Sequence, residues 1–255
     1  MPTLEERIAD LQDQAGQLLD LPQQIADTAQ QRINQIGSYW DARVQQMRTV
    51  AYVDTQAGDD SADGSVGHPL RSIDELLRRT PPGGVATAYL TSGLHIPAGG
   101  IDVDNRYLVV RSAGSVRQSI SLERHTFEQA NTTYRATGGF RLGARGRVAV
   151  IGCALQLPDL TGGWDAWPVH VAHAGLVQPS SSYAASGQSV HISYCDLVVP
   201  DAPYCALIGM FNAPIELYAA GLTITGTLEG NMFSQVSQPT ATSGLSWLVT
   251  NLTTV

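Results

Sequence analysis

A set of five regularly spaced apolar residues recurs in the second half of the chain and constrains the fold more than any other feature. The first copy is Val148, Val150, Cys153, Leu155 and Leu157. A second copy, followed like the first by Pro-Asp, lies 42 residues later (148 to 190) at Val190, Ile192, Cys195, Leu197 and Val199. We place one copy midway between them and one after them, at Val169, Val171, Ala174, Leu176 and Pro179 and at Ile215, Leu217, Ala220, Leu222 and Ile224. The set therefore recurs every 21 to 25 residues.

A repeat of this length is typical of one coil of a parallel β-solenoid, in which like residues stack at the strand spacing of about 4.8 Å. We expect the small residues Cys153, Ala174, Cys195 and Ala220 to form one inward column at a bend between two short strands. The two cysteines are then two coils apart, about 9 to 10 Å, which is too far for a disulfide. An antiparallel sandwich also alternates, but it does not require four copies in register.

Less regular coils are predicted before and after these copies. Apolar and polar residues also alternate in residues 101–110 and 118–122. Residues 240–249 match the five-residue apolar pattern only at Leu245, Trp247 and Val249. We therefore predict an all-β domain of stacked coils over residues 101–226, with a terminal coil or cap over residues 227–255.

Residues 1–50 have a different composition, dense in Gln, Ala, Asp, Arg and Leu, which is typical of a long exposed helix. Apolar residues step by four and three from Leu4 to Leu18, the heptad spacing of a coiled coil. Pro22 is expected to break or kink this helix. From Ile25 to Met47 the steps are four, four and three, an 11-residue period that relaxes or reverses the supercoil.

This narrow apolar stripe predicts a coiled-coil stalk that joins copies of the chain and attaches them to a partner. Isoleucine at several core positions favours three strands, so we expect a homotrimer. The alternative is an amphipathic helix that lies on its own domain. The predicted oligomer interface consists of Leu4, Ile8, Leu11, Leu18, Ile25, Ile33, Ile36, Trp40, Val44 and Met47.

Residues 51–100, between the stalk and the coils, contain a strand, an acidic Gly-containing loop and a short helix. The loop runs Tyr-Val-Asp-Thr-Gln-Ala-Gly-Asp-Asp-Ser-Ala-Asp-Gly from Tyr52 to Gly64, and Gly67-His68-Pro69 then leads into a helix that ends at Leu77. The segment resembles the one that precedes the first coil in parallel β-helix proteins of the pectate-lyase-like class, which are common in bacteriophage tail fibres and tailspikes. The resemblance implies a right-handed parallel β-helix preceded by the coiled-coil stalk.

A trimeric stalk that leads directly into a β-helix is the arrangement of phage fibres and spikes. The resemblance therefore implies a structural, receptor-binding protein of a phage or phage-like virion. Its N-terminal helix would bind other virion proteins, and its β-helix would face the host surface and its polysaccharides. The N-terminus has no signal-like segment, which fits assembly in the bacterial host cytoplasm and release by lysis. The alternative on the same scaffold is a polysaccharide-degrading tailspike, a glycosidase or lyase.

Composition argues against several other functions. The 15 basic residues, all Arg, are outnumbered by 23 acidic residues and form no cluster beyond Arg78-Arg79, so no nucleic-acid partner is expected. No apolar run approaches the roughly 18 residues of a membrane span, so we expect no membrane insertion. The 3 cysteines show no Cys-x-x-Cys spacing, and no motif predicts a metal or a cofactor outright.

The two Pro-Asp pairs supply the best enzymatic candidates. Asp159 and Asp201 hold equivalent positions two predicted coils apart, so their carboxyl groups are expected about 9 to 10 Å apart, at the limit for an inverting glycosidase. Turn formation explains the same pairs, and we favour it. No catalytic residue is predicted outside this alternative.

A histidine column is the alternative metal site. His170 and His191 hold the same outward position on neighbouring predicted coils, and Glu216 follows in the column. Imidazoles about 5 Å apart beside a carboxylate can bind a metal ion or form a pH-sensitive trimer contact. We favour a plain surface or interface ladder, because a metal site requires all three side chains to align.

Aromatic residues cluster in two predicted loops. Trp164 and Trp167 lie in one loop and Tyr183 in the next. Loop aromatics stack on sugar rings, so these three residues are candidates for binding a receptor glycan. Capping of a coil edge or packing on a sister subunit explains them equally well.

The acidic loop carries Asp54, Asp59, Asp60 and Asp63 within ten residues. These oxygens are numerous enough for a calcium ion, although their spacing is not that of an EF-hand loop. Asx turns and helix N-caps use the same residues, and we favour those roles.

Overall fold

The chain divides into two units, Met1–Gln46 and Met47–Val255. Its structure is a computed structural model that describes residues 3–170, 172–179, 188–209, 214–228, 231–234, 236, 241–245 and 248–253. Within these residues no helix combines the length and the apolar character that crossing a membrane requires.

The N-terminal unit is a single helix, α1 (Leu4–Gln46). Thr3 and Glu6 form a capping box at its start, since each backbone N–H donates to the side chain of the other residue. The helix runs through Pro22, so the predicted break at this residue is wrong. Proline removes a single intrahelical hydrogen bond, and Gln-to-Asp side-chain pairs four residues apart support the helix on both sides of it.

The apolar stripe of α1 is exposed. Every stripe residue of α1 whose side chain the structure describes lies at the surface, and Leu4, Ile25, Ile33 and Trp40 are each at least 60% exposed. The side chain of Leu18 lies outside the described part. An apolar stripe of this length in contact with water is the usual mark of an interaction surface.

Among the described residues the second unit contains eighteen strands, one short α-helix, α2 (Ile73–Arg79), and two 3₁₀ helices. In chain order the strands are β1 (Arg48–Val53), β2 (Val85–Leu90), β3 (Leu94–Ile96), β4 (Ile101–Val103), β5 (Tyr107–Ser112), β6 (Ser119–Leu122), β7 (Arg124–Gln129), β8 (Thr132–Thr137), β9 (Phe140–Leu142), β10 (Arg147–Ile151), β11 (Ala154–Gln156), β12 (Gly175–Pro179), β13 (Ser189–Ser193), β14 (Asp196–Val198), β15 (Ala206–Ile208), β16 (Ile215–Ala220), β17 (Thr223–Thr225) and β18 (Leu248–Thr250).

Three parallel sheets contain all of these strands except β7 and β8, which form an antiparallel hairpin. Sheet A has the order β1-β2-β5-β10-β13-β16-β18, sheet B the order β3-β6-β11-β14-β17, and sheet C the order β4-β9-β12-β15. From β2 to β15 the chain passes from sheet A to sheet B to sheet C and returns to sheet A, and it repeats this circuit in the same sense. The unit is therefore mostly β, with parallel sheets built one strand per circuit.

The core lies on one face of each sheet, because the strands alternate buried and outward side chains. Val148, Ile192, Leu155, Leu197 and Phe140 are at most 2% exposed and belong to one apolar cluster that all three sheets share. The parallel register stacks apolar residue on apolar residue from one circuit to the next. Full burial of such side chains contributes roughly 1.5 to 3 kcal/mol each.

The 42-residue repeat is confirmed. Val148 pairs with Val190 in sheet A, and Leu155 pairs with Leu197 in sheet B. The fourth copy is displaced by two residues, since Val190 pairs with Leu217 rather than with Ile215.

The copy placed midway is wrong. The described part of residues 169–179 supplies β12, which belongs to sheet C and pairs with β9 and β15. One circuit crosses three sheets, and every buried strand shows the same alternation, so periodicity does not tell which sheet a strand joins.

Cys153 and Cys195 therefore lie on neighbouring circuits and not two coils apart. The N–H of Asp196 donates to the carbonyl oxygen of Cys153 (3.0 Å). Ala174 and Ala220 do not belong to the predicted inward column. Ala174 precedes a strand of sheet C, and Ala220 pairs with Ser193 instead of lying in register with Cys195. Both cysteines are nevertheless free and buried, as is Cys205.

The bend between sheets A and B repeats from circuit to circuit. Gly152, Tyr194 and Gly221 each follow a strand of sheet A and adopt left-handed backbone angles, with φ of 63°, 55° and 61°. The ring of Tyr194 lies over Gly221, where an added Cβ would approach it to 2.9 Å. Glycine at that position therefore serves both the turn and the close packing of the aromatic ring.

We expect the native protein to resist maleimide at neutral pH. Burial raises the pKa of the Cys153 thiol to about 11 and that of Cys205 to about 12, and it also raises the pKa of Cys195. The reactive thiolates are thus scarce as well as inaccessible. Mass spectrometry should find no label before unfolding and 3 labels per chain in guanidinium chloride. Fast native labelling of Cys153 or Cys195 would contradict the register that buries them.

Candidate functional site

The loops that carry the two Pro-Asp pairs lie side by side. One follows β11 and the other follows β14, and the N–H of Leu160 in the first donates to the carbonyl oxygen of Ala202 in the second (2.9 Å). Asp159 and Asp201 both line one open cleft of about 560 Å³. The structure therefore brings the two predicted acids together, on neighbouring circuits instead of two coils apart.

Arg124, at the start of β7, anchors the first loop. Its Nη1 donates to the carbonyl oxygens of Asp159 and Thr161 (both 3.1 Å) and to Asp159 Oδ1 (3.2 Å). The hydroxyl of Thr161 donates to the same carboxylate oxygen (2.7 Å). The Thr161 hydroxyl and N–H, with the Arg124 guanidinium, hold the pKa of Asp159 below its usual value. Asp159 is thus ionised at neutral pH and serves as an acceptor rather than an acid.

Aromatic side chains follow directly after the cleft residues Gly162 and Gly163 in the first loop. A short 3₁₀ turn, Trp164–Ala166, places Trp164 edge-to-face with both Trp167 (5.8 Å between ring centroids) and Tyr204 (5.4 Å). The Arg124 guanidinium lies over the Trp164 ring at 5.5 Å. Trp164 is half-buried against the core, whereas Trp167 is 37% exposed. Trp167 is therefore the ring available to a ligand. The third aromatic candidate, Tyr183, lies outside the described residues.

Tyr204 and Arg124 are the members of this site that sequence reasoning missed. Tyr204 is fully buried, and its hydroxyl donates to the carbonyl oxygen of His125 (2.9 Å). Burial raises the pKa of Tyr204 to about 12. These two residues are about 80 positions apart, and neither belongs to a repeated pattern, so only the arrangement of Arg, Trp and Asp in nearby loops could have suggested them.

The predicted histidine column is wrong. His191 pairs in register with Tyr218, whose ring centroid lies 4.7 Å away, and Glu216 pairs with Ser189. His170 lies in the segment before β12. The column failed because it relied on the midway copy of the repeat. In the part of the chain that the structure describes, no three His, Cys, Asp or Glu side chains are arranged to hold a metal ion.

In the acidic loop the carboxylates accept hydrogen bonds from backbone N–H groups. Asp54, Asp59 and Asp63 each accept N–H groups from residues two or three positions later. Asp60 accepts the N–H groups of Arg71 and Ser72, and Ser72 caps α2. These hydrogen bonds account for the carboxylates as turn and cap residues.

Comparisons of the chain with protein-family models, with curated proteins and with solved structures find no match. Its function is therefore inferred from its own residues. Two carboxylates line the cleft, and the loop on one side of it also carries an exposed indole and is held by a guanidinium. Such a set is suited to binding a polyhydroxylated ligand by stacking and hydrogen bonds.

We expect Arg124→Gln to loosen the loop at residues 159–167. The substitution removes three hydrogen bonds and the contact with the Trp164 ring, while the strands below keep their pairing. Hydrogen exchange of this loop should accelerate about tenfold or more, because its opening costs less free energy. Arg117→Gln is the matched control, since Arg117 pairs with Asp196 elsewhere on the surface. Equal acceleration in both variants would contradict the anchoring role of Arg124.

Proposed function

We propose that the protein is a structural, receptor-binding fibre or spike of a phage or phage-like particle. Two independent features support this function. They are the exposed apolar stripe of α1 and the parallel sheets of the second unit. In this proposal α1 attaches the protein to other virion proteins, and the β unit is presented to the host surface. Assembly takes place in the cytoplasm of the bacterial host, and lysis releases the virion.

The second unit is, in this proposal, a right-handed parallel β-helix whose walls are sheets A, B and C. The cyclic order in which the chain visits the three sheets supports it. Crossovers between parallel strands of one sheet are right-handed in about 98% of cases, because strand twist favours that hand. Stacked circuits resist bending along the axis, which suits a fibre or spike.

The proposed oligomer is a parallel homotrimer held by α1. Its isoleucines favour three-stranded packing, and the stripe is too narrow to bury the helix on more than one side. The 11-residue spacing after Pro22 predicts a straighter or oppositely wound stalk than the heptads before it.

The cleft is, in this proposal, a contact site for a surface glycan of the host. The single observation that carries this assignment is the exposed ring of Trp167, which packs on Trp164 in the same loop as Asp159. Sugar rings stack on indoles, and their hydroxyl groups pair with carboxylates and guanidinium groups. The cleft is shallow and open, as in a site that docks a long chain laterally.

The second candidate function is cleavage of the same glycan, because Asp159 and Asp201 share the cleft. A glycosidase needs one carboxylic acid that stays protonated near neutral pH. Hydrogen bonds from Thr161 and the charge of Arg124 instead lower the pKa of Asp159, which keeps its carboxyl group ionised. Asp159 is therefore unsuited to the acid role, and cleavage would need Asp201 to supply the proton.

We expect the full chain to be a trimer by light scattering at micromolar concentration. Ile33→Asp combined with Ile36→Asp should give monomers, because each carboxylate would be buried at the helix interface. Gln31→Asp combined with Ser38→Asp adds the same charge on the opposite face of α1 and should leave the trimer intact. A monomeric native chain, or equal dissociation in both double variants, would contradict the stalk.

We expect binding to a subset of polysaccharides on an array of bacterial capsules and lipopolysaccharide O-chains. Trp167→Ala should lower the affinity for each bound polysaccharide about tenfold, since a stacking ring near the centre of a contact carries much of its energy. Tyr218→Ala, which removes an exposed ring from sheet A, should not change it.

The same polysaccharides distinguish the two functions. The fibre assignment predicts no new reducing ends and no unsaturated sugar ends after prolonged incubation. New ends that disappear in Asp159→Asn or Asp201→Asn would replace the fibre with the depolymerase.

A further inference from the structure

A second cavity, of about 180 Å³, lies between the outward face of sheet C and the β7–β8 hairpin. In sheet C, Arg141 of β9 pairs in register with Asp102 of β4 and with Gln178 of β12. The hairpin contributes His125 to the opposite side, and the segment before β12 contributes His173. We call this cavity the His125–Arg141 pocket.

The pocket is fixed by buried hydrogen bonds. Thr137, at the end of the hairpin, donates its N–H to the carbonyl oxygen of His173 (2.9 Å). Gln178 is 5% exposed, and its side-chain amide donates to the carbonyl oxygen of Thr137 (2.7 Å). The hairpin and the segment before β12 are thereby tied to sheet C, so the walls of the pocket are preformed.

Two nitrogen atoms in these walls are shielded from solvent and have no hydrogen-bond partner among the described residues. They are Nδ1 of His125 and Nε of Arg141. The guanidinium nitrogen is always a donor, and the imidazole nitrogen is a donor whenever the ring is protonated. Because buried polar atoms are nearly always paired, two such nitrogens in one cavity indicate an acceptor that binds there.

The charged groups that line the pocket are cationic or can become so. Arg141, His125 and His173 line it, and no acidic side chain of the described residues does. His170 stacks on His173 with ring centroids 4.6 Å apart and adds a third imidazole. Its Nε2 is within 2.9 Å of Gln129 Oε1.

The acidic groups around the pocket do not line it, although the charge of Glu123 acts on His125. Asp102 Oδ2 accepts from Arg141 Nη2 (2.7 Å), and Glu123 Oε2 accepts the N–H of Ala98 (2.7 Å). Burial together with the charge of Asp102 raises the pKa of Asp74 in α2, whereas the charge of Arg141 opposes this effect. The guanidinium is thus paired with Asp102 through Nη2, whereas its buried Nε has no partner among the described residues.

We propose that the His125–Arg141 pocket binds an oxyanion, namely a carboxylate, sulfate or phosphate group, either free in solution or carried by an acidic polysaccharide. Arg141 Nε and the imidazole of His125 donate to its oxygens, and His173 adds a second imidazole. A metal cation fits poorly, because the guanidinium of Arg141 repels it. The proposal stands independently of the glycan cleft at Asp159.

Occupancy depends on pH. Burial lowers the pKa of both His125 and His173. The charge and the backbone carbonyl group of Glu123 oppose this effect at His125, whereas the charges of His170, Arg141 and His125 add to it at His173. The empty pocket therefore holds neutral imidazoles at neutral pH. An anion favours the protonated rings, so binding strengthens as the pH falls through the range in which these imidazoles titrate.

Calorimetric titration of the full chain with sodium sulfate tests this, with chloride used to keep the ionic strength constant. We expect saturable binding at one site per chain, about tenfold tighter near pH 5.5 than near pH 7.5. Arg141→Gln should weaken it about tenfold or more, whereas His191→Asn, which removes an imidazole from sheet A, should not change it. Absence of saturable binding, or equal weakening in both variants, would mean that the pocket holds only water.

A measurement on the unaltered chain covers the case in which Arg141→Gln does not fold. Sulfate should raise the pKa of His125 and His173 in an NMR titration of the imidazole C–H signals, while the signals of His191 do not respond to sulfate. Equal shifts of all three would refute the site. Displacement of sulfate by polygalacturonate, but not by a neutral galactan, would identify a glycan carboxylate as the ligand. Displacement by neither would identify a free anion.

Discussion

In-register stacking of parallel strands is the constraint on which the second unit depends. Each circuit adds one strand to each of the three sheets and places its apolar residues on those of the circuit before it. The strands keep their register although the circuits differ greatly in length. Ala86 and its partner Leu108 are 22 residues apart in the chain, whereas Val148 and its partner Val190 are 42 residues apart. The sheets therefore carry the core, and the connections between them are free to vary.

The longest connections carry both candidate sites. The β7–β8 hairpin places Arg124 at the acidic and aromatic cleft and the next residue, His125, at the oxyanion pocket. Tyr204 joins the two sites, because its ring lies by Arg124 and its hydroxyl binds the carbonyl oxygen of His125.

The sequence predicts the features that depend on local or strictly repeated patterns. Composition and spacing predict α1, and the 42-residue repeat predicts the pairing of Val148 with Val190. The sequence does not predict which sheet a strand joins, and the expected column of His170 and His191 is wrong for this reason. The sequence also does not predict the contacts of Arg124 with Tyr204 and Asp159. These contacts join separate loops, and the loops are brought together only by the pairing of strands in the sheets.

The register between β13 and β16 offers the most direct test of this stacking. Directly paired residues of parallel strands are about 4.8 Å apart, within the reach of a disulfide, whereas a shift by two residues separates them by about 8 Å. His191 pairs with Tyr218, and the sequence repeat alone would pair it with Glu216. Mild oxidation should therefore cross-link the variant with His191→Cys and Tyr218→Cys and leave the variant with His191→Cys and Glu216→Cys reduced. The opposite pattern would contradict the register, and cross-linking of neither variant would contradict the parallel stack itself.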